Sequence, residues 1–157
     1  DDIALAELIR AAQPAVWRVC SALGTAGHEE DLVQETFLRA LRALPTFRHE
    51  CPVEVWLLSI ARRVCADDVR RRQRQRRLLL RLDQPEQLTM GPEGTVDDLL
   101  SRLAPDRREA FVLTQMVGLS YEEAALIVDC PVGTIRSRVS RARSDLANQL
   151  EQSRYGS

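Results

Sequence analysis

The segment "DCPVGTIRSRVSRAR", Asp129 to Arg143, carries residues suited to one kind of chemistry. Arg136, Arg138, Arg141 and Arg143 fall within eight residues, interleaved with Thr134, Ser137 and Ser140. A guanidinium binds phosphate and can engage both acceptors of a guanine edge, and a hydroxyl can take phosphate or a base edge. Apolar residues recur among them. Val132, Ile135, Val139, Ala142 and Leu146 share one side of a helix, which predicts a buried face. The opposite side holds Gly133, Ser137, Ser140, Arg141 and Ser144, flanked by Thr134, Arg136, Arg138 and Arg143. Helices that merely face water mix acids with their arginines in i,i+4 pairs. No acid occurs between Val132 and Ser144, so the pattern predicts a helix that lies in a DNA groove.

A groove-binding helix needs other elements to set its angle. Ser120 followed by Glu123 is the signature of a capping box and predicts a helix over 120–128, with small Ala124 and Ala125 on it. Asp129–Cys130 reads as a tight turn, and Pro131 suits the first position of a helix over 131–150. Helix, short turn, helix is a helix-turn-helix pattern. Two further helices, 96–103 and 106–117, precede it, punctuated by Pro105 and Gly118.

The N-terminal half is also helical by its spacing. "DDIALAELIRAAQ" predicts one helix, and Pro14 marks the start of a second that ends at Gly24. From Asp31 to Leu44, Leu32, Val33, Phe37, Leu38, Leu41 and Leu44 predict an apolar stripe, with Asp31, Gln34, Glu35, Arg39 and Arg42 on other faces. Pro45 stops that helix. After the loop 46–52, Pro52 opens a long helix over 53–77. Its first half is apolar (Trp56, Leu57, Ile60, Val64) and its second half is nearly all arginine. "DQPEQLTMGPEGT", Asp83 to Thr95, has no helical stripe and reads as a linker.

Composition agrees with small helical bundles: of 157 residues 45% are apolar but only 4% aromatic, and little of the chain alternates with period two. No run of eighteen apolar residues could span a membrane, and no signal-peptide pattern is visible. Four cysteines without a CxxC pair and two isolated histidines argue against a zinc site and against a disulfide scaffold; free, buried or half-buried thiols in a reducing cytoplasm are expected. Net charge is only −1, yet the charges are segregated. Residues 62–81 hold nine arginines against two aspartates, and 132–143 hold four arginines and no acid, whereas 83–131 hold ten acids against three arginines. Local basic islands in an acidic chain are what counterion release from DNA requires.

Two stretches together resemble a known family. "GLSYEEAALIVDCPVGTIRSRVSRARSDL" resembles the −35-reading region 4 of extracytoplasmic-function (group IV, sigma-70 family) RNA polymerase sigma factors. "EEDLVQETFLRALRALPTFR", followed by "VEVWLLSIARRV" and "DDVRRRQR", resembles their region 2. The resemblance implies an all-α fold of two small domains: σ2 at 1–77, a linker at 78–95, and σ4 at 96–152. It implies a subunit that brings core RNA polymerase to promoters, without enzymatic activity or cofactor, in the bacterial cytoplasm. Asp31, Gln34, Glu35 and Arg39 match the stretch that docks on the clamp helices of the largest polymerase subunit, and σ4 would meet other core subunits. Phe47 and Arg48 match the −10 loop that captures a flipped base, next to Trp56 at the start of the following helix. Arg62, Arg63 and Asp67 match the strip facing the non-template strand, and Arg70 begins the basic tail. His49 and Glu50 depart from the small residues common in that loop, and Arg63 often corresponds to Asn. Thr134, Arg136, Ser137, Arg138 and Arg141 match the −35 contact positions. The chain ends soon after σ4, without the further domain some members carry, which favours control by a separate anti-sigma factor.

A helix-turn-helix regulator that binds duplex DNA without being a polymerase subunit would account for 97–150 equally well. It leaves Asp31–Leu44 and the Trp56 helix with its arginine tail unexplained. Paired carboxylates, His–nucleophile pairs and glycine-rich loops in register are missing from the pattern, so no enzyme chemistry is expected.

Overall fold

The structure, a computed structural model, describes residues 2–82 and 92–156. These residues form α1 (Asp2–Leu23), α2 (Glu29–Ala43), α3 (Val53–Arg81), α4 (Val96–Ser101), α5 (Pro105–Phe111), α6 (Tyr121–Val128) and α7 (Val132–Tyr155), with no strand among them. A short 3-10 turn, Leu44–Thr46, follows α2, and a π-helical turn, Val112–Met116, continues α5. The fold is all-α, as expected. The chain divides into two compact units, Asp1–Arg48 with Ile60–Gly91 and His49–Ser59 with Pro92–Ser157. The second grouping takes in the loop and first turns of α3, which the sequence reading assigns to 1–77. Half of the expected linker 78–95, residues 83–91, lies outside the described residues. Leu78–Arg81 continue α3 beyond the expected end at 77, because leucine and arginine are good helix formers and nothing there breaks the helix.

Two expectations about helix boundaries change. Pro14 does not start a helix; α1 runs through it from Asp2 to Leu23. A proline inside a helix leaves the carbonyl four residues earlier without its N–H partner. Here both Arg10 and Pro14 are exposed, so water can serve that carbonyl, while Ala12, Val16, Val19 and Cys20 hold the other side of α1 in the core. Pro131 is the N-cap of α7 rather than its first helical residue, with extended ψ of 148° and its carbonyl accepting from Thr134 N at 3.0 Å.

In the first unit, α1 packs on α2. The buried face of α2 is Leu32, Val33, Thr36 and Ala40. Thr36 satisfies its hydroxyl by donating to the Leu32 carbonyl at 2.8 Å. Gly24 closes α1, its N–H donating to the Cys20 carbonyl at 3.0 Å. A Cβ at this position would collide with Leu32 and with the Cys20 carbonyl, so only glycine lets α2 come this close. From α3, Ile60, Ala61, Val64 and Cys65 are buried. The four cysteines are free thiols, Cys20 and Cys65 buried and Cys51 and Cys130 half-buried.

One charge sits in this core. Asp68 is 3% exposed and accepts hydrogen bonds from Thr25 Oγ1 at 2.7 Å, Arg71 Nη2 at 2.8 Å and Arg72 Nε at 3.3 Å. Burial alone pushes its carboxyl up, but the Thr25 hydroxyl and the Arg72 and Arg71 guanidiniums outweigh burial and hold it below the usual carboxylate value. Asp68 thus ties α3 to the α1–α2 turn and turns two arginines of the basic tail toward the protein.

Removing this carboxylate leaves Thr25 and two guanidiniums without their acceptor. Asp68→Ala should cost about 1–3 kcal/mol at pH 7. Because the folded-state pKa is depressed, the Asp68 contribution is fully present above the unfolded value of about 3.9 and is lost as pH falls through the folded value. Denaturant melts at pH 7 and pH 3 should therefore show wild type and variant converging at the lower pH. An equal gap at both would contradict the charged tie.

Candidate nucleic-acid and partner interfaces

The helix-turn-helix is held by local hydrogen bonds that its sequence dictates. Ser120 has extended backbone; its Oγ accepts from Glu123 N at 3.0 Å, and Glu123 Oε1 accepts from Ser120 N at 3.0 Å. The expected capping box is complete. At the other end of α6, Asp129 adopts the left-handed conformation, φ 59° and ψ 58°, which aspartate tolerates better than most residues. Its N–H and that of Cys130 turn back to the Ala125 carbonyl. This reverses the chain within two residues and starts α7. Ala124, Ala125 and Ile127 of α6 are buried, and α6 packs on α7.

Ile135, Val139 and Ala142 of α7 are at most 1% exposed, while Val132 and Leu146 are half-buried. The other side presents Gly133, Arg136, Ser137, Ser140, Arg141 and Ser144 to solvent, the face the helical spacing predicts. Thr134 is half-buried beside them, and Ser137 Oγ donates to its carbonyl at 3.1 Å. Arg136 and Arg141 have no hydrogen-bond or ion-pair partner among the described residues. Arg138 and Arg143 are placed differently. Arg138 is half-buried with Nε 3.6 Å from Asp106 Oδ2, and Arg143 Nη2 donates to Gln115 Oε1 at 2.7 Å.

α5 and the π-helical turn that continues it carry the partners of these arginines, and α5 packs on α7. Arg107 Nη1 donates to Asp145 Oδ2 at 2.6 Å, a third polar tie between the two helices. Arg108 donates from Nη2 to the carbonyls of Ser101 at 3.0 Å and Leu103 at 2.9 Å, capping the C-terminal end of α4. Burial lowers its pKa from the ordinary arginine value.

In the first unit, Arg63, Asp67 and Arg70 follow one another at spacings of four and three along α3 and so share a face, exposed at all three positions. Arg62 sits about 100° round the helix from Arg63 and is half-buried. Phe47 is half-buried, with its N–H donating to the Leu44 carbonyl at 3.1 Å, and Arg48 is exposed. His49 has φ of 58°, an uncommon conformation for a residue with a side chain. Trp56 is half-buried.

The residues expected to meet polymerase follow one another along α2 and line two grooves. Arg39 donates from Nε to Glu35 Oε1 and from Nη1 to Asp67 Oδ2, both at 2.9 Å, and these contacts raise its pKa, the Glu35 bond most. Asp31, Glu35, Arg39 and Asp67 line one groove between α2 and α3, so a predicted docking residue and a predicted DNA-facing residue are brought together. Gln34 is exposed and lines a second groove with Ile9, Trp17, Phe37, Leu38 and Leu41. Leu38 and Leu41 are each 41% exposed and Trp17 42%. The expectation that Leu38 and Leu41 belong to the core stripe is therefore corrected: the positions facing inward are taken by Leu32, Val33, Thr36 and Ala40. The helical spacing held the signal, because Leu38 stands seven residues after Asp31 and four after Gln34, on the polar side.

Comparison with known proteins decides the family. Residues 8–75 match Sigma-70 region 2, and residues 93–146 match Sigma-70, region 4. The chain is 44% identical over 156 residues to the ECF RNA polymerase sigma factor SigC of Mycobacterium tuberculosis (strain CDC 1551 / Oshkosh), across 94% of this chain and 84% of the relative. The chain belongs to the ECF sigma factors of the sigma-70 family. Among solved structures, the sigma factor RpoE in complex with the anti-sigma factor NepR from Bartonella quintana has a TM-score of 0.80 at 30% identity, covering 94% of this chain and 96% of that one. CnrH in complex with the cytosolic domain of CnrY has a TM-score of 0.76 at 29% identity, covering 96% and 90%. Sigma factors are non-catalytic transcription-initiation factors, and α6 with the first part of α7 falls within region 4 of this one while α2 and most of α3 fall within region 2. A free helix-turn-helix regulator does not account for the region 2 match.

The capping box fixes where α6 of this sigma factor begins. Ser120→Ala should lower stability by about 1 kcal/mol, while Ser120→Gly should cost only a few tenths. Chemical denaturation of both variants checks the order; no loss in either would mean that the hydroxyl contributes nothing.

Proposed function

We propose that this sigma factor brings core RNA polymerase to promoters with its first region docking on polymerase and reading the −10 element, and α7 reading the −35 element. The observation that carries the reading is the α7 face: Arg136 and Arg141 unpaired among the described residues, hydroxyls and Gly133 between them, and no acid. Small residues allow close approach to a groove floor, and Arg141, at the middle of that face, is suited to a guanine. Thr134 and Ser137 are assigned to the edges of the same contact, and Arg138, expected there too, is half-buried beside Asp106. In region 2, Phe47, Arg48 and Trp56 are assigned to the −10 element, and Arg62, Arg63, Asp67 and Arg70 to the displaced strand and its phosphates.

The docking surface on polymerase is Asp31, Gln34, Glu35 and Arg39 of α2, with the exposed Leu38 beside them. Arg39 pairs with Glu35 within α2 and with Asp67 of α3, and the second pair fixes this surface against α3. The domains 1–77 and 96–152, joined through 78–95, then act at separate promoter elements. The partners of RpoE and CnrH suggest that an anti-sigma factor controls this chain too, and the α1–α2 groove with Trp17, Leu38 and Leu41 offers the apolar surface for it. The site of action is the bacterial cytoplasm, with no membrane insertion. No described helix is long and apolar enough to cross a membrane. No cofactor or metal enters this function, and the chain itself carries out no reaction.

Size-exclusion chromatography with core RNA polymerase tests the assignment. The wild type should co-elute without DNA. Replacing Gln34 and Leu38 together with Ala should leave thermal stability within about 0.5 kcal/mol per site. Affinity for core polymerase should fall by ~1–3 kcal/mol if the pair forms part of a hot spot. Unchanged affinity would place docking elsewhere. For the DNA face, Arg141→Ala should cost ~1–3 kcal/mol at one base pair and relax preference there. A uniform loss across a base-substitution scan would assign Arg141 to phosphate instead.

A further inference from the structure

Two of the four arginines on the α7 face are already held by the protein. Arg138 Nε lies 3.6 Å from Asp106 Oδ2, with the Arg138 side chain 26% exposed and that of Asp106 56% exposed. Arg143 Nη2 donates to Gln115 Oε1 at 2.7 Å. Both acceptors come from the preceding helical segment, Asp106 from the first turn of α5 and Gln115 from its π-helical turn. Asp106 is itself fixed, because Oδ1 accepts from Arg107 N at 2.9 Å while Oδ2 faces Arg138. The neighbouring Arg107 is committed to Asp145 and adds no competing cation.

The position of these acceptors matters for DNA attraction. Each guanidinium that reaches a phosphate releases counterions and strengthens binding to every sequence alike. A guanidinium shared with a carboxylate or an amide oxygen must first give up that partner. Among described residues Arg136 and Arg141 are the arginines of this face with no such partner.

We propose that Asp106 and Gln115 act as positioning residues that hold Arg138 and Arg143 off the phosphate backbone, so that α7 engages DNA chiefly through Arg136 and Arg141. The inference rests on the reading of α7 as the −35 helix and adds a restraint on it. Non-specific attraction is kept low by side chains outside the contact surface, while base reading is left to the unpaired guanidiniums. A protein that must find a few promoters among much other DNA gains from that division, since phosphate contacts raise affinity for all sites without distinguishing them.

The test uses the full chain assembled with core RNA polymerase, on a promoter duplex and on the same duplex with a scrambled −35 element, from low to moderate salt. Asp106→Asn keeps the side-chain shape and an acceptor for Arg107 N but removes the charge facing Arg138. It should tighten both duplexes by the same factor, roughly five- to tenfold near 0.1 M salt, and steepen the plot of log K against log salt by about one. Gln115→Ala, which frees Arg143, should act in the same direction. In an Arg138→Ala background Asp106→Asn should change the slope little. An unchanged slope for Asp106→Asn, or the same change with Arg138 absent, would overturn the restraint. Tightening confined to the promoter duplex would also overturn it, because Arg138 would then be reading a base. Arg141→Ala separates this failure from failure of the underlying reading: if it alters the ratio of the two affinities, α7 reads the −35 element whatever Asp106 does. If it alters neither affinity, both ideas fall.

Discussion

The burial of Ile135, Val139 and Ala142, each at most 1% exposed, is the constraint on which the proposed DNA-facing surface depends. A rotation of α7 by one residue, about 100°, would push a guanidinium toward the core and bring an apolar side chain to water. The cost of burying an unpaired charge far exceeds the gain from any single apolar contact, so the helix has one acceptable rotation. The capping box of α6 and the left-handed Asp129 then fix where along the chain that rotation begins. Orientation of the reading face is thus a by-product of core packing, and no residue of the face itself is needed to achieve it.

Charge pairing supplies the second layer of control. The chain has 22 basic residues, all arginine, and several of them are turned inward or sideways. Asp68 takes Arg71 and Arg72, Asp67 takes Arg39, Asp106 faces Arg138 and Asp145 takes Arg107. Exposed pairs of this kind contribute little to stability, typically below about 1 kcal/mol. Their consequence is mainly geometric: they decide which guanidiniums point at a partner. Asp68 differs because it is buried, and there the same kind of pair also holds the unit together.

Much of this was readable beforehand, for identifiable reasons. The face of α7, the capping box and the turn at Asp129–Cys130 follow from spacing and local hydrogen-bonding rules, which act within a few residues. The pairing of Arg138 with Asp106 and of Arg143 with Gln115 was not readable. It joins positions 28 or more residues apart, and the charge pattern alone makes all four arginines equivalent. Pro14 misled because a proline signal is local, whereas the continuity of α1 is held by Ala12, Val16, Val19 and Cys20 packing on the opposite side. Asp67 was expected to face DNA, and its bond to Arg39 depends on how α2 and α3 meet.

Leu38 and Leu41 show a further limit of reading a stripe of leucines as core. A helix in a small unit can bury only one side, and in α2 that side is filled by Leu32, Val33, Thr36 and Ala40. Thr36 is polar yet fully buried because its hydroxyl is satisfied within the helix, and this leaves a narrow inner face with little need for more leucine. Leu38 and Leu41, beyond that face, are only partly covered, and the apolar area they leave in water costs about 25 cal/mol per Å². Such a cost is recovered when another surface covers them. If polymerase docks on α2 as proposed, the same exposure would make it a target for a protein that competes with polymerase, since both would recover the same apolar area. Competition of that kind needs no separate regulatory site. It follows from leaving Trp17, Leu38 and Leu41 uncovered in one groove.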